Sequence, residues 1–213
     1  MLETVVRRSV QASAAALGAA LALLPAPTAR ELAPQPAPPP AAPRPVDPLA
    51  AHVLERMPSL TVDDASVLAS TVRSESQEAG LDPVLVLAVI GVESGWEATA
   101  VSERGARGLM QLRRGALEWA ERDGGVAPGD VHDPVHNVRV GIRYLARMVE
   151  HFDDVDLALI AYNAGPTRLA SYLQAVGEVP DSMWGYVRKV HREERRIRRG
   201  LMNPQVLVAD AAR

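Results

Sequence analysis

The chain has 213 residues, 47% hydrophobic and 23% charged, which suits one globular domain with tails. A formal net charge of -3 argues against a nucleic-acid partner, and the absence of cysteine excludes disulfides, cysteine lipidation and thiolate metal sites. Aromatics are only 4%, so the core must be built from Leu, Val, Ala, Ile and Met, and no apolar run reaches the ~18 residues of a stable membrane span.

Residues 1–29 read as a signal or targeting segment. Arg7 and Arg8 form a basic start, Ala12 to Leu24 an uncharged Ala/Leu-rich stretch, and Pro25 to Ala29 a small-residue end without a clean cleavage site. An ordinary N-terminal helix or an Ala-rich tail is the competing reading. Residues 30–48, with P-Q-P-A-P-P-P-A-A-P-R-P, read as an extended polyproline-like linker. Residues 49–200 have the composition of a folded domain, and 201–213 form a short C-terminal tail.

Within 49–200 helical signals follow one another with no convincing strand pattern. Thr61 with Asp63 and Asp64 opens a helix that Gly80 stops. Asp82 and Pro83 suit the cap and first position of the next, which Gly95 ends. Ala98 to Gly108 reads as a loop. Leu109, Leu112, Ala116 and Trp119 give the apolar face of a helix running to Arg122. Asp133-Pro134 caps a long helix to Phe152 carrying Val138, Ile142, Leu145, Met148 and Val149. Asp153 and Asp154 begin a short apolar helix to Ala164, Arg168–Val176 form a small one, and the last runs from Asp181 to Arg199. The expected class is all-α, with a core of useful size for about 150 residues.

The stretch V-L-V-L-A-V-I-G-V-E-S-G-W, Val84 to Trp96, holds a single ionisable group, Glu93, at the helix end. On a helix Glu93 stacks over Ile90 and Val89. Desolvation and the negative end of the helix dipole both raise a carboxyl pKa, and an acid still protonated near neutrality can serve general acid catalysis. A helix that merely surfaces there, with Glu93 solvated, is the plainer alternative.

Four patches belong together: Glu93-Ser94-Gly95-Trp96, Ala100-Val101-Ser102, Gly105 to Leu112 (G-A-R-G-L-M-Q-L) and Ala161-Tyr162-Asn163-Ala164-Gly165-Pro166. In this order and spacing the set resembles the catalytic domain of the soluble lytic transglycosylases, the Slt family, whose fold is lysozyme-like of the goose type. The resemblance covers roughly Ala69 to Val190. It implies an all-α domain with a groove and cleavage of the β-1,4 bond between N-acetylmuramic acid and N-acetylglucosamine, giving a 1,6-anhydro-muramyl product. It implies Glu93 as catalytic acid and base, and Ser102, Met110, Gln111, Tyr162, Asn163 and Tyr186 as substrate-binding positions. It further implies peptidoglycan glycan strands as partner, an exported, periplasmic or envelope location, service to an envelope or secretion assembly, and no cofactor or metal.

The residue types suit those roles. Glycoside cleavage commonly uses two carboxylates, whereas these motifs supply one, which fits a route in which the substrate's own 6-hydroxyl attacks. Hydroxyl and amide side chains suit sugar and acetamido groups. Gly108 and Gly115, three before and four after Gln111, either clear space for a sugar ring on a helix or serve close packing. Arg113-Arg114 stands where the family commonly has Met-Pro, leaving Arg113 either in the groove or in solvent. Glu97 and Glu103 read as solvated loop acids, His132 and His136 as unconnected, and the basic run Arg188 to Arg199 as a solvated helix face with a Glu194–Arg198 pair. Two alternatives stay open: a muramidase that uses water, and a silent glycan-binding module.

Overall fold

The computed structural model describes residues 47–202. The targeting segment, the linker up to residue 46 and the tail from residue 203 lie outside the described residues. Among the described residues the chain forms eight helices: α1 (Pro48–Arg56), α2 (Val62–Glu78), α3 (Pro83–Ser94), α4 (Arg114–Arg122), α5 (Pro134–Phe152), α6 (Val155–Ala164), α7 (Pro166–Val176) and α8 (Asp181–Met202). Only two isolated bridges, Val101 with Arg107 and Arg107 with Leu112, interrupt this all-α pattern.

Most helices begin where an acidic or hydroxyl side chain satisfies an orphan backbone donor. Thr61 accepts from the Asp64 N–H, Asp82 from Val84, Asp133 from His136 and Asp154 from Leu157. Asp47 does the same for Leu49, so helix begins at Pro48, inside the stretch read as linker. α7 starts directly after Gly165, two residues before its expected start, and α8 continues to Met202, past the expected end of the domain.

One expected helix is shorter than its pattern. Residues 109–112 are not helical, and α4 begins only at Arg114. Gly108 (φ 75°) and Gln111 (φ 47°) both take left-handed backbone, and Arg107 and Leu112 exchange two backbone hydrogen bonds across the turn. Leu109, Met110 and Leu112 are fully or almost fully buried. Their spacing imitates a helical stripe, but it comes from a tight turn pressed into the core.

That turn is held by Asn137, a fully buried residue in the first turn of α5. Its Oδ1 accepts the Met110 N–H at 2.8 Å, and its Nδ2 donates to the carbonyls of Arg107 (3.1 Å) and Val131 (2.7 Å). A β-carbon at Gly108 would collide with this amide, and one at Gly141, a turn further along α5, would collide with the Met110 side chain.

The middle of α3 is enclosed on all sides: Val86 to Ile90 are completely buried and Leu85 nearly so. A helix apolar around its whole circumference belongs in a core, where each such side chain contributes about 1.5–3 kcal/mol of burial. It packs along α8 and against α2. α8 runs antiparallel to it, because Arg198 reaches the α3 cap Asp82 at 2.6 Å while Tyr186 meets Glu93 at the other end. Between them, Gly91 leaves room for Glu193; a β-carbon there would stand 3.3 Å from its Cγ. On the far side, Glu75 of α2 binds Arg139 and Arg143 of α5 at 2.7 and 2.9 Å.

Asn137→Ala leaves the Met110 donor and the Val131 carbonyl without partners in a buried site, while Arg107 O keeps only its bond from Leu112. It is expected to cost about 2–4 kcal/mol, read as a lower denaturant midpoint at unchanged m-value.

Candidate active site

α3 ends on Gly95 (φ 60°), whose N–H closes onto Gly91 O, and Trp96 then also takes positive φ (75°). The Trp96 ring is buried, edge-on to His52 of α1 at 5.4 Å, which fixes the chain just beyond Glu93. Left-handed backbone at a bulky residue costs about 1–3 kcal/mol and persists only where packing enforces it. Glu93 is thereby held at the end of the buried helix, on the wall of a groove of about 660 Å³.

Burial raises the Glu93 carboxyl above its ordinary range. The Tyr186 hydroxyl and the Arg113 charge oppose this without cancelling it. Tyr186 donates to Glu93 Oε1 at 2.6 Å, and Oε2 has no hydrogen-bond partner among the described residues. Burial, reinforced by the Glu93 charge, pushes the phenols of Tyr186 and Tyr162 well above the usual tyrosine value, so both remain donors. With Tyr186 donating to Oε1, a proton on Glu93 belongs on Oε2.

Ser102, Gln111, Tyr162 and Asn163 all line the same groove as Glu93. Ser102 Oγ accepts the Ala106 N–H at 3.0 Å, which folds the loop back on itself. Gln111 donates its amide to the carbonyls of Ala100 and Gly108. Tyr162 donates to Met110 O at 2.8 Å, tying α6 to the turn. Asn163 is exposed. Tyr186 does not line the groove and acts on it through Glu93.

Met110 is a correction. Its side chain is fully buried against Gly141, away from the groove, and only its backbone serves the site, by accepting from Tyr162 and donating to Asn137. The two glycines also part company. Gly108 is required by its left-handed backbone and by Asn137, whereas nothing lies within 4 Å of a β-carbon at Gly115, which lines the open groove.

Sequence reasoning missed Asn137 and Tyr144. Tyr144 lines the groove from α5, its ring 5.8 Å from that of Tyr162 and 5.9 Å from that of Trp119. Asn137, Gly141 and Tyr144 fall on one face of α5 at i, i+4 and i+7. A polar residue and a glycine inside an otherwise apolar stripe were the available signal. Glu103, read as a solvated loop acid, is exposed but also borders the groove, whereas Glu97 only caps Thr99. Among the described residues no group of three or more His, Asp or Glu could hold a metal ion.

The raised Glu93 carboxyl has a stability consequence. The folded chain keeps this proton longer than the unfolded chain, so stability falls as pH rises from the ordinary carboxyl range through the raised value. Glu93→Gln removes that cost and can still accept from Tyr186. It is expected to raise the melting temperature at neutral pH, with the gain disappearing below about pH 4. A melting temperature lowered at neutral pH contradicts the burial account.

The family described as Transglycosylase SLT domain matches residues 70–184. A transglycosylase of Enterobacteria phage PRD1 is 34% identical over 95 residues, covering 45% of this chain and 34% of the relative. The soluble lytic murein transglycosylase of Escherichia coli K12 is 33% identical over 92 residues, 41% of this chain and 14% of the relative. This chain therefore spans about a third or less of these relatives' length. Among solved structures, an inactive mutant of the lytic transglycosylase Slt from Pseudomonas aeruginosa superposes with a TM-score of 0.57 at 24% identity, over 74% of this chain and 31% of that one. The 70 kDa soluble lytic transglycosylase of Escherichia coli gives 0.57 at 22%, over 70% and 29%. These two establish a shared fold. With the family match spanning more than half of its residues, this chain belongs to the transglycosylase SLT domain family.

Proposed function

We propose that the chain is a peptidoglycan lytic transglycosylase that cleaves the β-1,4 bond between N-acetylmuramic acid and N-acetylglucosamine. The observation that carries this reading is the setting of Glu93: one carboxyl group, its pKa raised by burial, with Oε1 occupied by Tyr186 and Oε2 free at a groove of hydroxyl and amide groups. Family membership and the lytic murein transglycosylases among its relatives support it.

In the proposed reaction Glu93 gives its Oε2 proton to the glycosidic oxygen as the bond to the muramyl anomeric carbon breaks. The resulting carboxylate takes the proton of the muramyl 6-hydroxyl, and that oxygen closes on the anomeric carbon. The product is a 1,6-anhydro sugar, no water is consumed, and Glu93 ends as it began, protonated. Tyr186 holds the carboxyl orientation through both transfers. Gln111 and Asn163 are assigned to hydrogen bonds with the glycan. Ser102 and Tyr162 shape the groove wall and Met110 the turn behind it.

The setting is also a proposal. Peptidoglycan glycan strands are the partner, and the protein acts after export, in the periplasm or cell envelope. An enzyme that opens local gaps in the wall suits an envelope or secretion assembly. No helix among the described residues is long and apolar enough to cross a membrane. A muramidase reading draws its support from Glu103, a second carboxylate on the groove edge that could activate water.

Digestion of purified sacculi in ¹⁸O-labelled water separates the two. Transglycosylation yields anhydro ends, lighter than hydrolytic ends by one water and free of label, and Glu103→Gln does not alter the type of end. Newly formed reducing ends, counted above those in undigested sacculi, would identify a hydrolase. Glu93→Gln is expected to lower the turnover number at least about 10³-fold, since proton donation and abstraction are both lost. Tyr186→Phe is expected to lower it about tenfold and to move the basic limb of its pH profile upward, because the hydrogen bond that favours the carboxylate is gone. A basic limb near pH 4 in the wild type would defeat the role given to Glu93.

A further inference from the structure

Four charged side chains border the groove: Glu93, Glu103, Arg104 and Arg113. The two arginines come from separate segments. Arg104 stands in the loop after Ser102, and Arg113 at the cap position of α4, where it makes no capping hydrogen bond. Both are exposed. Among the described residues neither donates a hydrogen bond, and neither has a carboxylate oxygen within 4.0 Å. Two neighbouring cations are paired, Arg114 with Glu118 at 2.6 Å and Arg122 with Asp123 at 2.8 Å, while Arg107, also exposed, does not border the groove. The loop and the α4 cap thus place two arginines without ion-pair partners on the border of a groove otherwise walled by neutral groups and two acids.

We propose that Arg104 and Arg113 form a carboxylate clamp that selects muramyl residues bearing an anionic side arm. This rests on the reading of the groove as a glycan site. Sugar hydroxyls and acetamido groups are neutral. The charge on a glycan strand comes from the arm at the muramyl 3-position, either as the free lactyl carboxylate or as carboxylates of an attached peptide stem. A guanidinium meets a carboxylate through two parallel N–H donors, stronger and more directional than a contact to a hydroxyl. Both sources share this chemistry. The Arg113 charge also reaches Glu93 and holds its carboxyl lower than burial alone would. A substrate carboxylate seated on Arg113 offsets that charge and so favours the proton-donor form of Glu93.

The test is a binding titration with the full-length chain carrying Glu93→Gln, so that no probe is consumed. Three muramyl tetrasaccharide probes are compared. One bears peptide stems, a second has had them removed by an amidase to leave free lactyl carboxylates, and the third is the second with those carboxylates converted to methylamides. The parent is expected to bind at least one charged probe roughly three- to tenfold tighter than the methylamide, the range for one or two partly exposed charge-assisted contacts. Arg104→Gln and Arg113→Gln together are expected to bring that ratio close to one, as is about 0.5 M salt in the parent. Arg113→Lys, which keeps the charge, is expected to restore part of it in the Arg113→Gln setting. Whichever charged probe shows the preference identifies lactyl or stem carboxylates as the source. The proposal is overturned if the parent shows no charge preference, if the preference survives both substitutions, or if no probe binds. Release of anhydro ends by the wild type is scored separately, so loss of the clamp and loss of the reaction are different results.

Discussion

The site depends first on the burial of the middle of α3, Leu85 to Ile90. A helix with no polar face cannot turn or slide to hydrate its end, so Glu93, one position before its last residue, inherits both a fixed place and a dry one. α8 completes the arrangement. Arg198 at one end binds the α3 cap Asp82, Tyr186 at the other binds Glu93, and their twelve-residue separation matches the length of α3. At 1.5 Å per residue both spans are about 16–18 Å. Further along α8, His191 bridges Asp156 of α6 and Glu194, which fixes α8 to the helix that carries Tyr162 and Asn163.

The opposite wall rests on Asn137. Its amide takes the Met110 N–H and adds a donor to Arg107 O, while Arg107 and Gly108 donate to Leu112 O and Ala100 O, so the chain can turn twice into left-handed conformation with these donors satisfied. α5 then reads as a mounting rail: Asn137 holds the turn, Gly141 admits Met110, and Tyr144 reaches the groove. Tyr162, donating to Met110 O, closes the circuit from α6. The groove is thus assembled from one enclosed helix and one buried amide, and the exposed residues along it carry little of the fold's stability.

Much of this was legible because its signals are local. Asp82-Pro83, Asp133-Pro134 and Asp154 announce helix starts through side chains that bond the backbone two or three residues on, and Gly95 announces a stop through its left-handed conformation. The apolar run Val84–Ile90 made a dehydrated Glu93 foreseeable; of the motif positions Ser102, Gln111, Tyr162 and Asn163 border one groove, whereas Tyr186 stands behind Glu93 and not on the groove. The failures have one cause. Leu109, Met110 and Leu112 have helical spacing, but the force that decides their conformation comes from Asn137, 27 residues beyond Met110. Met110 stands in the M-Q-L patch that the family resemblance assigns to substrate, yet its side chain is buried, and Gln111 and Leu112 line the groove instead.

By itself the amino-acid sequence determined the helical class, most helix starts, the position of the acid at the end of an apolar helix and the family to which the residues point. These follow from short-range hydrogen bonding and periodicity, which a linear chain displays. Tertiary structure alone decided which oxygen of Glu93 is free, because Tyr186 lies 93 residues away and takes the other. It decided that Met110 is core, that Gly108 and Gly115 serve different ends, and that Arg104 and Arg113 border one groove. Those outcomes depend on which groups meet across elements, and burial and pairing of that kind exist only once the helices have packed.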